Sequence, residues 1–388
     1  MTQENVVKLR RKRLISLAML LAVVILAIGL VSTGCIRGVA PVGWSGGTVS
    51  NNGTLFVGSN EGRLVAINLT DESRQLAEPL IAVTQTGLFG CAPGGGGCGT
   101  AVPRVAIYGT PVVANDLVYI AGYNGKIYAY NVSNLAARWV YPREGNLQPF
   151  VGGLVIAQDK LIIGSSDGKV YALDPATGDK KWEFTTGDKI WATPAIDGDT
   201  VYIGSFDKKL YALNISDGSK KWEFVTGGAI ISTPLVYNDT IYIGSFDRNL
   251  YAVNASNGNL KWKFTGESWF WAGPVVYNDN IYAGCLDGNV YVLKADTGEK
   301  VKGFELKSGV SSRPVIVDSS VIIAARGGVI YSIATASQEI KQIADIKTDI
   351  DGPLTAYEGI VYIHTQAIEL QRINAVSGAL LRPISLKS

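Results

Sequence analysis

Short runs of alternating apolar and polar residues return along this chain at a fixed interval. The stretch LIIGSSDGKVYALD at 161–174 comes back as VYIGSFDKKLYALN at 201–214, IYIGSFDRNLYAVN at 241–254 and IYAGCLDGNVYVLK at 281–294, each 40 residues after the last. Carrying the register outward adds weaker copies starting at 55, 118, 321 and 361. Alternation of period two marks half-buried strands, and a repeat of about 40 residues built from such strands marks propeller blades, each a small sheet that cannot bury its faces until neighbours stack around an axis. The eight copies predict an all-β, eight-bladed β-propeller of four-stranded antiparallel blades. Blades are expected to start near Trp44, Ala106, Gln148, Ile190, Ala229, Trp269, Val310 and Asp351, with a last strand near Ala379–Leu386, so that closure needs little or no strand exchange. The step from the first copy to the second is 63 residues, which predicts an insertion at about 84–105.

Within one repeat, Trp191–Phe224, four strands A to D are separated by turn chemistry. Strand A follows Thr193-Pro194 and ends at Asp197-Gly198-Asp199, a tight turn whose residues tolerate positive φ. Strand B is Val201–Ser205, strand C is Leu210–Leu213 and strand D is Lys221–Phe224. Prolines recur before strand A (Pro111, Pro194, Pro234, Pro274, Pro314 and, one residue out of register, Pro353). A residue without an N–H suits a strand's first position or an edge, and the innermost strand has such an edge.

Ala172, Gly178 and Trp182 stand at positions 1, 7 and 11 of an eleven-residue stretch, as do Ala212, Gly218, Trp222 and Ala252, Gly258, Trp262. This pattern resembles the tryptophan-docking motif of the propellers named after pyrroloquinoline quinone (PQQ) enzymes. The resemblance implies that the indole packs between blades, the glycine makes the C–D turn and the alanine leaves room for a ring. Blade 2 keeps Ala129 and Trp139 but has Leu135 for the glycine, and blade 6 keeps Gly298 without the tryptophan. The resemblance covers roughly residues 44–386.

The basic cluster KLRRKR at 8–13 precedes an uncharged apolar run from Leu14 to Val31, followed by Ser32-Thr33-Gly34-Cys35. Residues 1–34 read as a signal sequence, and Gly34-Cys35 resembles a bacterial lipobox, which makes Cys35 the candidate lipidation site. Ser32 departs from the usual leucine, and 18 apolar residues are just long enough to span a bilayer, so an uncleaved anchor is the alternative. Either way residues 35–43 form a tether and 44–388 an extracytoplasmic propeller at the membrane. Residues 1–34 carry five of the 35 basic and one of the 33 acidic residues, leaving 30 against 32 and a net charge of −2. Nothing in that balance asks for nucleic acid. Cys91 and Cys98 bracket Ala-Pro-Gly-Gly-Gly-Gly within the insertion and read as a local disulfide in an oxidising compartment. Two thiols without a nearby histidine do not make a metal site.

The chain offers few groups for catalysis. Its single histidine, His364, lies in strand B of the last blade and reads as a structural residue. Asp167, Asp207, Asp247 and Asp287 recur at B–C turns and read as turn formers. The quinoprotein dehydrogenases of the resembled family carry adjacent cysteines, a calcium site and a catalytic Asp on a longer chain. None of these stands out here, so no cofactor and no catalytic residue is expected. In length, blade number and signal the chain resembles the propeller lipoprotein of the β-barrel assembly machinery. The reading is a tethered scaffold that binds protein partners, with a PQQ-dependent or other redox enzyme and a surface ligand sensor as alternatives. In a four-stranded meander the D–A and B–C connections share one face. Here that face collects Lys189, Trp191, Phe206, Lys208, Lys209, Phe246, Arg248, Trp269, Phe270 and Trp271, the residue types in which binding hot spots are enriched. They form the candidate partner-binding site, suited to an extended segment. Packing around the central channel is the competing reading of Trp191 and Trp271.

Overall fold

A computed structural model describes residues 43, 45–80, 105–306, 308–365 and 368–387. The signal, Cys35, the tether up to residue 42 and the Cys91–Cys98 loop lie outside the described residues. Thirty-two strands, with no helix among the described residues, form eight four-stranded sheets, each a simple A-B-C-D meander. Blade 1 spans Gly47–Leu76, blade 2 Val112–Tyr141, blade 3 Val155–Thr185 and blade 4 Ala195–Val225. Blades 5 to 8 span Leu235–Thr265, Val275–Glu305, Val315–Asp345 and Thr355–Ser385. The protein is an eight-bladed propeller.

Local chemistry explains each element. The A–B turns place Asn238 and Asp239 at φ 47° and 52°, and Asn278 and Asp279 at 46° and 57°, the paired left-handed residues of a two-residue hairpin. Strands B and C are buried on both sides because both of their faces meet a neighbouring blade. Strand D is the outer edge, and it carries Lys180, Lys181, Lys220, Lys221, Lys261 and Lys263 outward, which discourages edge-to-edge pairing with other chains. A register shift beside Ala172, Ala212 and Ala252 sets the C–D pairing and increases the local twist next to each tryptophan.

The tryptophan geometry is staggered across the junctions. Trp182 pairs with Ala172 in its own blade, but its Nε1–H donates to the Ile215 carbonyl of the next blade at 2.9 Å. Trp222 donates to Ala255 at 3.1 Å and Trp262 to Ala295 at 2.9 Å in the same way. The glycine under each indole also belongs to the next blade. A Cβ on Gly218 would lie 2.6 Å from Trp182, one on Gly258 2.7 Å from Trp222 and one on Gly298 2.6 Å from Trp262. Gly178 likewise lies under Trp139, whose indole donates to Pro175. This accounts for the two departures in the sequence. Blade 6 keeps Gly298 because blade 5 has a tryptophan, and Leu135 of blade 2, buried in the core at φ 53°, sits under none.

A second column governs packing near the axis. One position near the end of strand B reads Gly58, Ala121, Gly164, Gly204, Gly244, Gly284 or Ala324, and each small residue packs against a large apolar one entering the next blade. Added Cβ atoms at Gly164, Gly204 and Gly284 would lie 2.1 to 2.3 Å from Ile190, Ile230 and Val310. At the closing junction the sizes are exchanged. Strand B of blade 8 ends in His364, and the column position entering blade 1 is Gly43. His364 is 2 % exposed, and its Nδ1–H donates to the Ser45 carbonyl at 3.2 Å while Nε2 has no partner among the described residues.

Blade 8 takes all four strands from the C-terminal segment, so side chains close the ring. Thr355 Oγ1 accepts from Gly47 N at 2.8 Å and donates to Gly47 O at 2.9 Å. Arg372 pairs with Glu72 at 2.8 Å. Leu55, Val57, Val65 and Ile67 pack against Tyr362, Leu370, Ile384 and Leu386.

Candidate functional site

The B–C turns and the D–A connections share one face, and hydrogen bonds join them. The amide of Phe206 donates to Lys189 O, that of Phe246 to Ala229 O and that of Leu286 to Trp269 O, each at 3.0 Å. The repeated aspartates are consumed in the same framework. Asp207 Oδ1 caps the Lys209 amide, and its Oδ2 accepts from Gly187 N at 2.7 Å and Tyr211 Oη at 2.6 Å. Asp247 does the same with Asn249, Gly227 and Tyr251. These carboxylates hold turns and have little left to offer a ligand.

On this frame the aromatic side chains of blades 4 to 6 form one continuous ladder. Trp191 meets Phe206 edge-on at 4.8 Å between centroids, with its indole N–H on Ser166 Oγ. Phe206 meets Phe246 at 6.3 Å. Phe246 stacks on Trp269 at 4.6 Å and on Trp271 at 5.5 Å. Lys189 Nζ lies 4.5 Å from the Phe206 ring and 5.1 Å from that of Trp191. Each pair contributes about 0.5–1.5 kcal/mol beyond burial, so the ladder is held in place yet remains half-exposed.

Two of the residues grouped with this site lie elsewhere. Phe270 is 1 % exposed and packs under Gly244 and against Tyr291. It occupies the column of large apolar residues shared with Ile190, Ile230 and Val310, so it belongs to the core. Lys209 opens strand C, and its ammonium lies across its own sheet on Glu223 at 2.6 Å. The ladder itself comprises Lys189, Trp191, Phe206, Phe246, Trp269 and Trp271.

Lys208 and Arg248 are exposed beside it, and both have φ +72°. The same turn position is glycine at positive φ in blades 1, 2, 3, 6 and 7 (Gly62, Gly125, Gly168, Gly288, Gly328). A side chain in that conformation costs about 1 kcal/mol or more. The strained cations occur in the two blades with phenylalanine two positions earlier (Phe206, Phe246), and neither makes an ion pair among the described residues. Cations kept in a conformation that the other blades give to glycine, beside an exposed aromatic cluster, mark a site maintained for contact. Lys208→Gly and Arg248→Gly are each expected to raise the urea midpoint by the equivalent of about 1 kcal/mol; a lowered midpoint in both would remove the strain argument.

Cys285 is a free buried thiol whose pKa burial pushes up to about 12, which makes it unreactive. Among the described residues no group of three His, Cys, Asp or Glu converges to hold a metal, and no helix is long and apolar enough to cross a membrane.

The family described as outer membrane protein assembly factor BamB matches residues 31–190 and 167–382 of this sequence. The chain belongs to the BamB family. No curated protein matches it. Among solved structures, BamB from Moraxella catarrhalis is 20% identical, covering 82% of this chain and 93% of its own, with a TM-score of 0.65. The computationally designed Ika8 protein is 14% identical, covering 85% of this chain and 95% of its own, with a TM-score of 0.68. At these identities the likeness of both structures to this BamB-family chain is one of fold, and a designed protein shares it as fully as a natural one. The ladder must therefore be argued from this chain's own residues.

Proposed function

We propose that this BamB-family propeller is a membrane-tethered, extracytoplasmic scaffold that binds a protein partner through the B–C and D–A face of blades 4 to 6, in the assembly of cell-envelope proteins. The observation that carries the reading is the half-exposed ladder from Lys189 to Trp271, flanked by two cations held in strained turns. Large rigid rings and arginine contribute most of the energy in protein interfaces. A run of rings extending over neighbouring blades suits an extended segment of the partner better than a single pocket would. The family's description as an assembly factor supports the same class of function. The tether rests on the signal at 1–34 and Cys35, and the scaffold would act where that anchor holds it.

A photo-crosslinking residue at position 208 or 248 of the full chain, in its own envelope, is expected to capture one discrete partner. The same residue at 238, on the opposite face, is expected to capture none. The combined Phe206→Ser, Phe246→Ser and Arg248→Ser variant should lose that capture while keeping its melting temperature within a few degrees. Equal capture from both faces, or full capture by the folded triple variant, would refute the proposed surface.

A further inference from the structure

Two residues before strand A, each blade contributes one residue to a ring around the axis. The ring runs Thr110, Gly153, Thr193, Thr233, Gly273, Arg313, Pro353 and, by register in blade 1, Gly46. The members touch. Gly153 N donates to Thr193 Oγ1 at 2.7 Å, and a Cβ on Gly46 would lie 2.7 Å from Thr110 Oγ1 and 2.8 Å from Pro353 Cγ. Seven members are small or proline. The eighth is an arginine.

Arg313 is half-buried and makes no hydrogen bond or ion pair among the described residues. Asp351, the acid two residues before the next ring position, is occupied by Arg326 at 3.3 Å. Arg313's pKa is lowered by burial alone, with no anion opposing the effect. A guanidinium carries five donors in a planar fork and stays charged, so withdrawing one from water without a partner is costly. On its other side Gly273 adds no side chain, and beyond that glycine stands Thr233, whose hydroxyl makes no bond among the described residues. Trp271, two residues before Gly273, likewise has an indole N–H without a partner among the described residues.

We propose that Arg313, with the Thr233 hydroxyl and the Trp271 indole N–H, forms a receptor for a single carboxylate at the axial opening on the ladder face. The fork of Arg313 takes the two carboxylate oxygens side by side, and the other two groups are donors to the same oxygens. A free small carboxylate and the C-terminus of a peptide share this chemistry. The site shares Trp271 with the partner surface proposed above, but its readout at Arg313 is separate from partner capture, and none of the variants that test that surface replaces Arg313, Thr233 or Trp271.

The test is arginine modification by phenylglyoxal on the full chain, mapped by peptide mass spectrometry, in chloride or acetate at matched ionic strength. Two further arms use the peptide Ac-Gly-Ser-Gly-Ser-Phe with a free C-terminus and the same peptide as its amide. Carboxylate is expected to slow Arg313 modification at least fivefold while the exposed Arg382 reacts at an unchanged rate, and Thr233→Ala should reduce that protection. Protection by acetate at the peptide's concentration identifies a free carboxylate as the ligand. Protection by the peptide acid at far lower concentration than acetate identifies a chain terminus. Equal rates in chloride and in carboxylate, including no reaction in either, or equal protection by the amide, would overturn the proposal.

Discussion

Moving the propeller from pH 7 to pH 5 is expected to destabilise it by about 2 kcal/mol through one residue, His364. Burial lowers its pKa from 6.5 to about 4, and the bond to the Ser45 carbonyl only partly opposes this. The unfolded chain therefore takes up a proton near pH 6.5 that the folded chain refuses until near pH 4. Stability is constant above that window and falls as pH drops through it. The acidic side chains act in a different window. Burial would raise Asp247, but hydrogen bonds from Tyr251, Asn249 and Gly227 outweigh it, and lysine contacts lower Glu183 and Glu223. Those contributions are lost only below the ordinary carboxylate range. His364→Gln keeps a donor for Ser45 and cannot titrate, so its urea midpoint should be nearly the same at pH 7 and pH 5 while the wild type falls. Because His364 sits where blades 8 and 1 meet, hydrogen-exchange protection, corrected for the intrinsic pH dependence, should fall first at pH 5 in strand B of blade 8 and strand A of blade 1. An equal fall in both proteins would assign the acid sensitivity to other groups.

The fold was legible because a propeller repeats its packing problem at every junction. Alternation marked the strands, Asn-Asp and Asp-Gly marked the A–B turns, and the 40-residue period marked the blades. Relations across a junction were harder to read, since a motif aligned within one repeat cannot show that its glycine serves the tryptophan of the blade before. Leu135 and Gly298 looked like decay of the motif, yet both follow from the stagger. Phe270 was misassigned to the surface because it stands between Trp269 and Trp271 in a loop. Its column, which reads Ile107, Phe150, Ile190, Ile230, Phe270, Val310 and Ile350, was already apolar in blades 2 to 8.

The ladder was legible only as a set of residue types on one face. Which rings meet depends on the angle between blades and on side-chain directions, and no spacing encodes these. The same limit hid Lys209, whose strand position turns it toward Glu223. The strain at Lys208 and Arg248 was partly visible, because glycine fills their column in five other blades. Its cost becomes a physical statement only with φ in hand. Arg313 was unremarkable in the sequence and became notable once its seven ring neighbours were seen to be small or proline.

The largest single loss of stability is expected at an inter-blade tryptophan. Trp182→Ala removes an indole that is 7 % exposed and donates to the Ile215 carbonyl, and such a truncation costs about 3–5 kcal/mol. Gly218→Ala attacks the same contact from the other blade. Its new Cβ would lie 2.6 Å from Trp182, and its φ of +75° disfavours any side chain. Together these should cost about 2–4 kcal/mol. The two losses should not add. Once the indole is gone the steric part of Gly218→Ala has nothing to push against, and only the backbone part, about 1 kcal/mol, should remain. A double-mutant cycle on urea midpoints is therefore expected to give a coupling of about 1–3 kcal/mol. Gly198→Ala is the control, because Gly198 has φ +52° with nothing within 4 Å of its Cβ position. It should cost only the backbone part in either background. If Gly218→Ala costs the same with and without Trp182, the glycine is kept for its turn alone, and the stagger would not explain why Gly298 persists in a blade that has no tryptophan.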